Sequence, residues 1–169
     1  MTTPSTPESQ PAVLVDPNIT KAIAVIGATE GTSTAGLVTF TKTADGIRIE
    51  ARLAGLPEGD HGFHINQFGD SSKLDGTSAG GHFNPETKPH GGPDATEPHF
   101  GDLGNITADA EGMASLERVG INLALTGTQS IVGRGVVIHA TNDDLTSQPT
   151  GAAGARIGIG VIGIAEDCE

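Results

Sequence analysis

The sequence contains no tryptophan, no tyrosine and a single cysteine among its 169 residues. Five phenylalanines are its only large aromatic side chains. A core must therefore be filled by Val, Ile, Leu and Ala, and the β-branched members of that set suit a pleated sheet. The same shortage leaves no aromatic platform on which nucleic-acid bases could stack. The lone Cys168 can close no intrachain disulfide and supplies no Cys pair for metal transfer, which predicts a reducing compartment. Positive charge is scarce too: 9 Lys and Arg face 21 Asp and Glu, a formal charge of −12. Such a chain has little attraction for phosphate backbones or anionic membranes. No apolar run approaches the roughly 20 residues that span a bilayer, and Met1 to Pro11 lacks the apolar centre of a secretory signal. These absences predict a soluble, cytoplasmic protein with neither nucleic-acid nor membrane partners.

What the sequence does hold is turn-forming residues, 25 Gly and 10 Pro. Residues 1–18 are rich in Thr, Pro and Ser and read as a disordered tail. A single domain is expected over 19–166, with 167–169 as a second short tail. Within the domain, short apolar segments recur between turn signals: Lys21–Ile26, Leu37–Lys42, Gly46–Leu53, Gly62–Gln67, Leu103–Thr107, Ala114–Val119, Gly135–His139 and Ile157–Ile164. The clearest is Gly46–Leu53, where Ile47, Ile49, Ala51 and Leu53 alternate with Arg48, Glu50 and Arg52. Helical periodicity is nowhere sustained. The pattern predicts an all-β antiparallel sandwich or flattened barrel. Two connections, Gly69–Asp102 and Thr141–Arg156, are too long for hairpins, and loops of that length in a compact domain usually carry function.

All six histidines fall between His61 and His139. Four candidate ligands arrive as His82-x7-His90-x8-His99-x2-Asp102 within the first long loop. Three imidazoles and a carboxylate form a closed tetrahedral set for zinc, and Gly/Pro-rich chain lets them converge. Scattered surface histidine would not be confined to the middle of the chain at near-regular spacing.

The segments His61-Gly-Phe-His64-Ile-Asn66-Gln-Phe-Gly-Asp70, Ser78-Ala-Gly-Gly-His82-Phe-Asn-Pro85, His90-Gly-Gly-Pro93, His99-Phe-Gly-Asp102-Leu-Gly-Asn105, Val136-Val-Ile-His139 and Gly154-Ala-Arg156, with Gly160-Val-Ile-Gly-Ile164, resemble copper/zinc superoxide dismutase. The resemblance runs from about Thr20 to Glu166. It implies an eight-stranded antiparallel Greek-key barrel with two long functional loops, and disproportionation of superoxide to dioxygen and hydrogen peroxide. It also implies zinc on His82, His90, His99 and Asp102, and copper on His64, His82 and His139, with His82 bridging the two metals. Asp143 matches the carboxylate that orients one copper histidine and one zinc histidine, here His64 and His90. Arg156 matches the arginine that attracts superoxide, so Arg156 and His82 are the expected catalytic residues. His61 matches a structural histidine. Phe68 and Ile164 fall near the family's dimer contact, which makes a homodimer an expectation.

Three departures bear on function. The fourth copper-ligand position holds Asn66, a hard and weak amide donor in place of imidazole, so copper binding is expected to be weakened and activity reduced. The positions of the family's disulfide hold Gly76 and Ile159, leaving the Phe68–Gly81 segment without a covalent tether. The loop between Asp143 and Arg156 is shorter than in eukaryotic-type members and lacks their acidic and lysine side chains, which is expected to open the copper position to solvent. A non-catalytic, zinc-stabilised binding or scaffold protein is the alternative reading.

Overall fold

The alternation in residues 46–54 sets the inside and outside of the molecule. In the computed structural model, which describes residues 16–97 and 99–167, Ile47, Ile49, Ala51 and Leu53 are buried while Arg48, Glu50 and Arg52 face outward. Most of the 1–18 tail, and Cys168, lie outside the described residues. The strands are β1 (Lys21–Ala28), β2 (Ala35–Thr43), β3 (Gly46–Ala54), β4 (Gly59–Asn66), β5 (Asp102–Ala108), β6 (Ala114–Gly120), β7 (Gly135–His139) and β8 (Arg156–Ile164). They close an antiparallel barrel in the order β1-β2-β3-β6-β5-β4-β7-β8. The chain crosses over twice, between β3 and β4 and between β6 and β7, which gives this eight-stranded all-β fold its Greek-key connectivity. The one helical element among the described residues is a 3₁₀ turn at Thr77–Ala79.

Every strand expected from the sequence is present; Gly135–His139 keeps its ends, and the others shift by one to three residues at one end or both. The largest shift is in β4, which begins at Gly59 because the polar residues Asp60 and His61 pair with Thr107 and Ile106 of β5. A period-two search for apolar residues does not register such a pair. The core is aliphatic, as the composition requires: Ile49, Leu53, Ile65, Ile106, Ile131, Ile138 and Ile162 are among its fully buried members, joined by Phe40 and Phe63.

β4 positions the site. Phe63 and Ile65 point into the barrel, opposite Ile138 and Val136 of β7. His64 and Asn66 alternate with them and point outward, yet both are fully buried, because the two long loops cover that face. A register shift between Gly62 and His64 and another between Ile138 and His139 interrupt the ladders where the histidines stand. Bulges of this kind re-aim side chains and recur beside functional sites.

Candidate metal centre

The long loops bring together the residues that the sequence singled out. His82, His90, His99 and Asp102 form one group whose donor atoms lie within 4.8 Å of one another, and His64, His82 and His139 form a second. His82 belongs to both, one ring nitrogen turned to each.

In the first group the Asp102 Oδ1 atom lies 2.9 Å from His82 Nδ1 and 2.8 Å from His90 Nδ1. His99 Nδ1 is 3.3 Å from both His82 Nδ1 and Asp102 Oδ1. A tetrahedron with metal–ligand bonds of about 2.0–2.1 Å has edges of about 3.3–3.4 Å; the two His99 distances already match such an edge, and Asp102 Oδ1 needs to move only slightly from His82 and His90. The other Asp102 oxygen accepts backbone N–H bonds from Gly91 at 3.1 Å and His99 at 2.8 Å, which fixes the carboxylate. Burial works to raise the Asp102 pKa, but the hydrogen bonds from His82 and His90 outweigh it and hold the group well below the usual carboxylate range. Burial lowers His99. It also acts to lower His90, yet the carboxylates of Asp102 and Asp143, one at each ring nitrogen, lift His90 to about 9.

The second group carries three lone pairs with nothing to accept. His64 Nε2 donates to Asp143 Oδ2 at 2.7 Å and His139 Nδ1 donates to Gly154 O at 2.9 Å, which fixes both tautomers. The remaining nitrogens, His64 Nδ1 and His139 Nε2, together with His82 Nε2, are buried and have no hydrogen-bond partner. Burial pushes His64 down to about 4, against the pull of Asp143, and His139 down to about 3, so both rings are neutral and ligand-ready near pH 7. Leaving a buried acceptor unpaired costs about 1–3 kcal/mol, and three of them facing one another mark a place for a cation.

Asp143 ties the two groups together. Its Oδ2 takes the His64 bond and its Oδ1 takes a 2.8 Å bond from His90 Nε2. A donor atom from each of these three residues lies within 4.8 Å of the others, close enough to suggest a third metal group. We read them as hydrogen-bonded instead, since both rings direct Nδ1 to the two groups above and keep Nε2–H for the carboxylate. Burial raises the Asp143 pKa, but the bonds from His64 and His90 hold it low.

Asn66 lies against His82 through an isolated antiparallel bridge. Its Nδ2 donates to Gly80 O at 2.8 Å, and its Oδ1 is buried without a partner. Arg156 stands opposite His139 in the β7–β8 ladder and donates through Nη1 to Gly76 O and through Nη2 to Gly80 O. Desolvation lowers its pKa from the ordinary arginine value. His61, apart from both groups, meets the carbonyls of His139 and Pro57 at 2.8 Å each, a structural position.

One expectation changes, and another gains its non-covalent counterpart. The second group is not opened to solvent by the shorter loop, because His64, His82 and His139 retain at most 9% exposure. The loop folds back instead: Thr141 N and Oγ1 both bind Ala153 O, and Ala153 packs closely over Gly62 beside the His64 ring. The Phe68–Gly81 segment, although it has no disulfide, is held by Phe68 N to Ala79 O, Glu30 N to Leu74 O and the Arg156 and Asn66 bonds. Ile159, at a disulfide position, packs with Ala79 and Val137.

The sequence left several supporting residues without a role. Asn105 grips Asp143 at both its backbone N and O, and Gln148 does the same for His90. Asn105 stands inside the His99-to-Asn105 motif and could have been found there. Gln148 and Gly151 carry no sequence signal.

The family model for copper/zinc superoxide dismutase matches residues 34–162. A solved structure of the clock protein EA4 is 40% identical, covers 86% of this chain and 95% of its own, and superposes with a TM-score of 0.78. With the closed eight-stranded barrel and the two groups, one of three His and an Asp and one of three His, that share His82, these matches establish that the chain belongs to the copper/zinc superoxide dismutase family.

Proposed function

We propose that the chain is a metalloprotein that disproportionates superoxide, two O₂•⁻ and two protons giving O₂ and H₂O₂, at a rate reduced by the missing imidazole. The observation that carries this reading is the set of three buried, partnerless nitrogens, His64 Nδ1, His82 Nε2 and His139 Nε2. Copper held there would supply one-electron transfer between its two oxidation states. Zinc fits the His82, His90, His99 and Asp102 group, whose donor types and near-tetrahedral spacing match that ion. In this reading His82 Nε2 would hold a proton for reduced oxygen whenever it is not bound to the metal, and Asp143 keeps His64 in the tautomer that leaves Nδ1 free. Arg156 supplies local positive charge that draws the anion toward a protein of net charge −12. In this reading the protein is cytoplasmic and pairs with a second copy through the face bearing Phe68 and Ile164, which are 50% and 63% exposed.

The test is the decay of superoxide with protein loaded with zinc and copper. Arg156→Glu should slow the reaction without changing metal content, and added salt should shrink the difference, because screening acts over about 8–10 Å. No consumption above buffer would overturn the proposal, and equal rates for the two proteins at low salt would strike Arg156 from it as the anion guide.

A second reading, a zinc-stabilised binding or scaffold protein without a redox metal, draws on Asn66, whose amide is committed to Gly80 O. Copper affinity measured on the zinc-loaded protein separates the two, since only the first requires tight binding.

A further inference from the structure

One backbone carbonyl, Gly80 O, collects side-chain donors from two strands: Asn66 Nδ2 of β4 at 2.8 Å and Arg156 Nη2 of β8 at 2.5 Å. The other terminal nitrogen of Arg156, Nη1, donates to Gly76 O at 2.8 Å, so both ends of the guanidinium fork are spent on one turn of the loop. The turn itself is tightly defined. Gly80 has φ 73°, and a Cβ there would lie 2.8 Å from the Phe68 ring. Asparagine is in effect a truncated histidine, with Nδ2 standing where the ring carries Nδ1 and with no atom reaching as far as Nε2. At a fully buried site, Asn66 therefore keeps the inward, loop-facing donor of an imidazole and drops the metal-facing one.

We infer that Asn66 is a positioning residue for Arg156, acting through the Gly80 carbonyl that both side chains share. The chain's only cysteine is Cys168, so no intrachain disulfide fixes the Gly76–Gly80 turn to the barrel. Asn66 and Arg156 are the side chains that hold the turn to the barrel, and they meet at the Gly80 carbonyl. Backbone bonds from Phe68 N to Ala79 O and from Gln67 N to Gly81 O bracket Gly80, so losing the Asn66 donor loosens the Gly80 carbonyl rather than the whole turn, weakens one of the two acceptors of Arg156, and lets the half-buried guanidinium open to solvent more often. This inference rests on the reading of Arg156 as the anion guide, and it gives the replacement at position 66 a use that does not involve a metal.

The test is chemical modification of the zinc-loaded protein with phenylglyoxal, which condenses across the two terminal nitrogens of an arginine and so requires both to be free. Adducts are located by mass spectrometry, with exposed Arg52 as the internal reference. Asn66→Leu, which preserves shape and removes the donor, should speed modification of Arg156 about fivefold, the change in opening expected for one lost hydrogen bond. Asn66→Ala should do the same. Asn66→His should restore the protected rate, because Nδ1–H can donate to Gly80 O. Arg52 should react equally in all four proteins. An unchanged Arg156 rate in Asn66→Leu, or a rate in Asn66→His as fast as in Asn66→Leu, would overturn the inference. Failure of Arg156→Glu to alter superoxide decay would count against the anion-guide role and leave this result standing.

Discussion

Gly151 and Asp143 are in contact so closely that no side chain fits between them. A Cβ on Gly151 would overlap the Asp143 carboxylate and lie 2.6 Å from His90 Nε2, and the glycine's φ of 69° disfavours any substitution as well. Asp143 can reach both His64 and His90 only because this backbone approaches without a side chain. Gly151→Ala should therefore resemble Asp143→Ala, each weakening zinc binding about 10–100-fold, the usual effect of losing the group that orients a ligand. Competition with a chromophoric chelator measures this. Wild-type zinc affinity in Gly151→Ala would show that the carboxylate is not needed to hold His90.

Removing zinc should lower the melting temperature. The Gly69–Asp102 connection has little regular structure beyond one 3₁₀ turn, and its ligands meet only around Asp102. Metal bound to the folded form alone adds about 4 kcal/mol at a thousandfold excess over Kd, or about 8–16 °C for a domain of this size. His90→Ala should lose stoichiometric zinc and melt with the chelated protein. Coincident melting of the zinc-loaded and chelated forms would exclude zinc as the agent that orders the loop.

Without zinc, pH should act through the same residues in opposite directions. His90, raised from 6.5 to about 9 by two carboxylates that overcome its burial, contributes stability that is complete below pH 6.5 and is lost as pH rises to about 9. Burial lowers His64 to about 4 and His139 to about 3, so their contribution is present above pH 6.5 and is lost as pH falls toward those values. Metal-free protein should melt highest near pH 6.5. Zinc takes the place of the His90 proton, so the alkaline decline should disappear on loading and zinc uptake should release protons. Melting curves from pH 4 to 9 with and without zinc test this, and a flat alkaline limb in the metal-free protein would contradict it.

The fold and the clustering of His82, His90, His99 and Asp102 were legible because each follows a repeating or spaced pattern. Ile47 to Leu53 alternate, and the spacing from His82 to Asp102 survives into three dimensions. What was not legible depends on backbone atoms. Gly80 O, Gly154 O and the N–H groups of Gly91 and His99 hold Arg156, Asn66, His139 and Asp102 in place, and a backbone group is the same in every residue. Solvent access was misjudged for the same reason. Loop length between Asp143 and Arg156 does not reveal that Thr141 folds the chain back through Ala153.

Asn66 is where sequence and structure together make their sharpest claim. Three of the four nitrogens expected around copper are present, buried and without partners, and Asp143 still orients His64. If position 66 alone accounts for weak copper binding, Asn66→His should raise copper affinity by more than the roughly 10–100-fold typical of outer contacts. It should also turn the Cu(II) spectrum to one dominated by nitrogen and increase dismutase activity. The hydrogen bond to Gly80 O favours this outcome, because Nδ1 of the new ring can take over the bond that the amide now makes. The opposing possibility is that a loop without its disulfide has let the site drift, and a displacement of about 1 Å can cost 100-fold in rate. In that case Asn66→His would bind copper tightly and turn over slowly. Titration with a copper chelator and superoxide decay, measured on the same preparation, separate these outcomes. Tight copper binding and full activity in the unaltered protein would refute both, and would show that three imidazoles are enough.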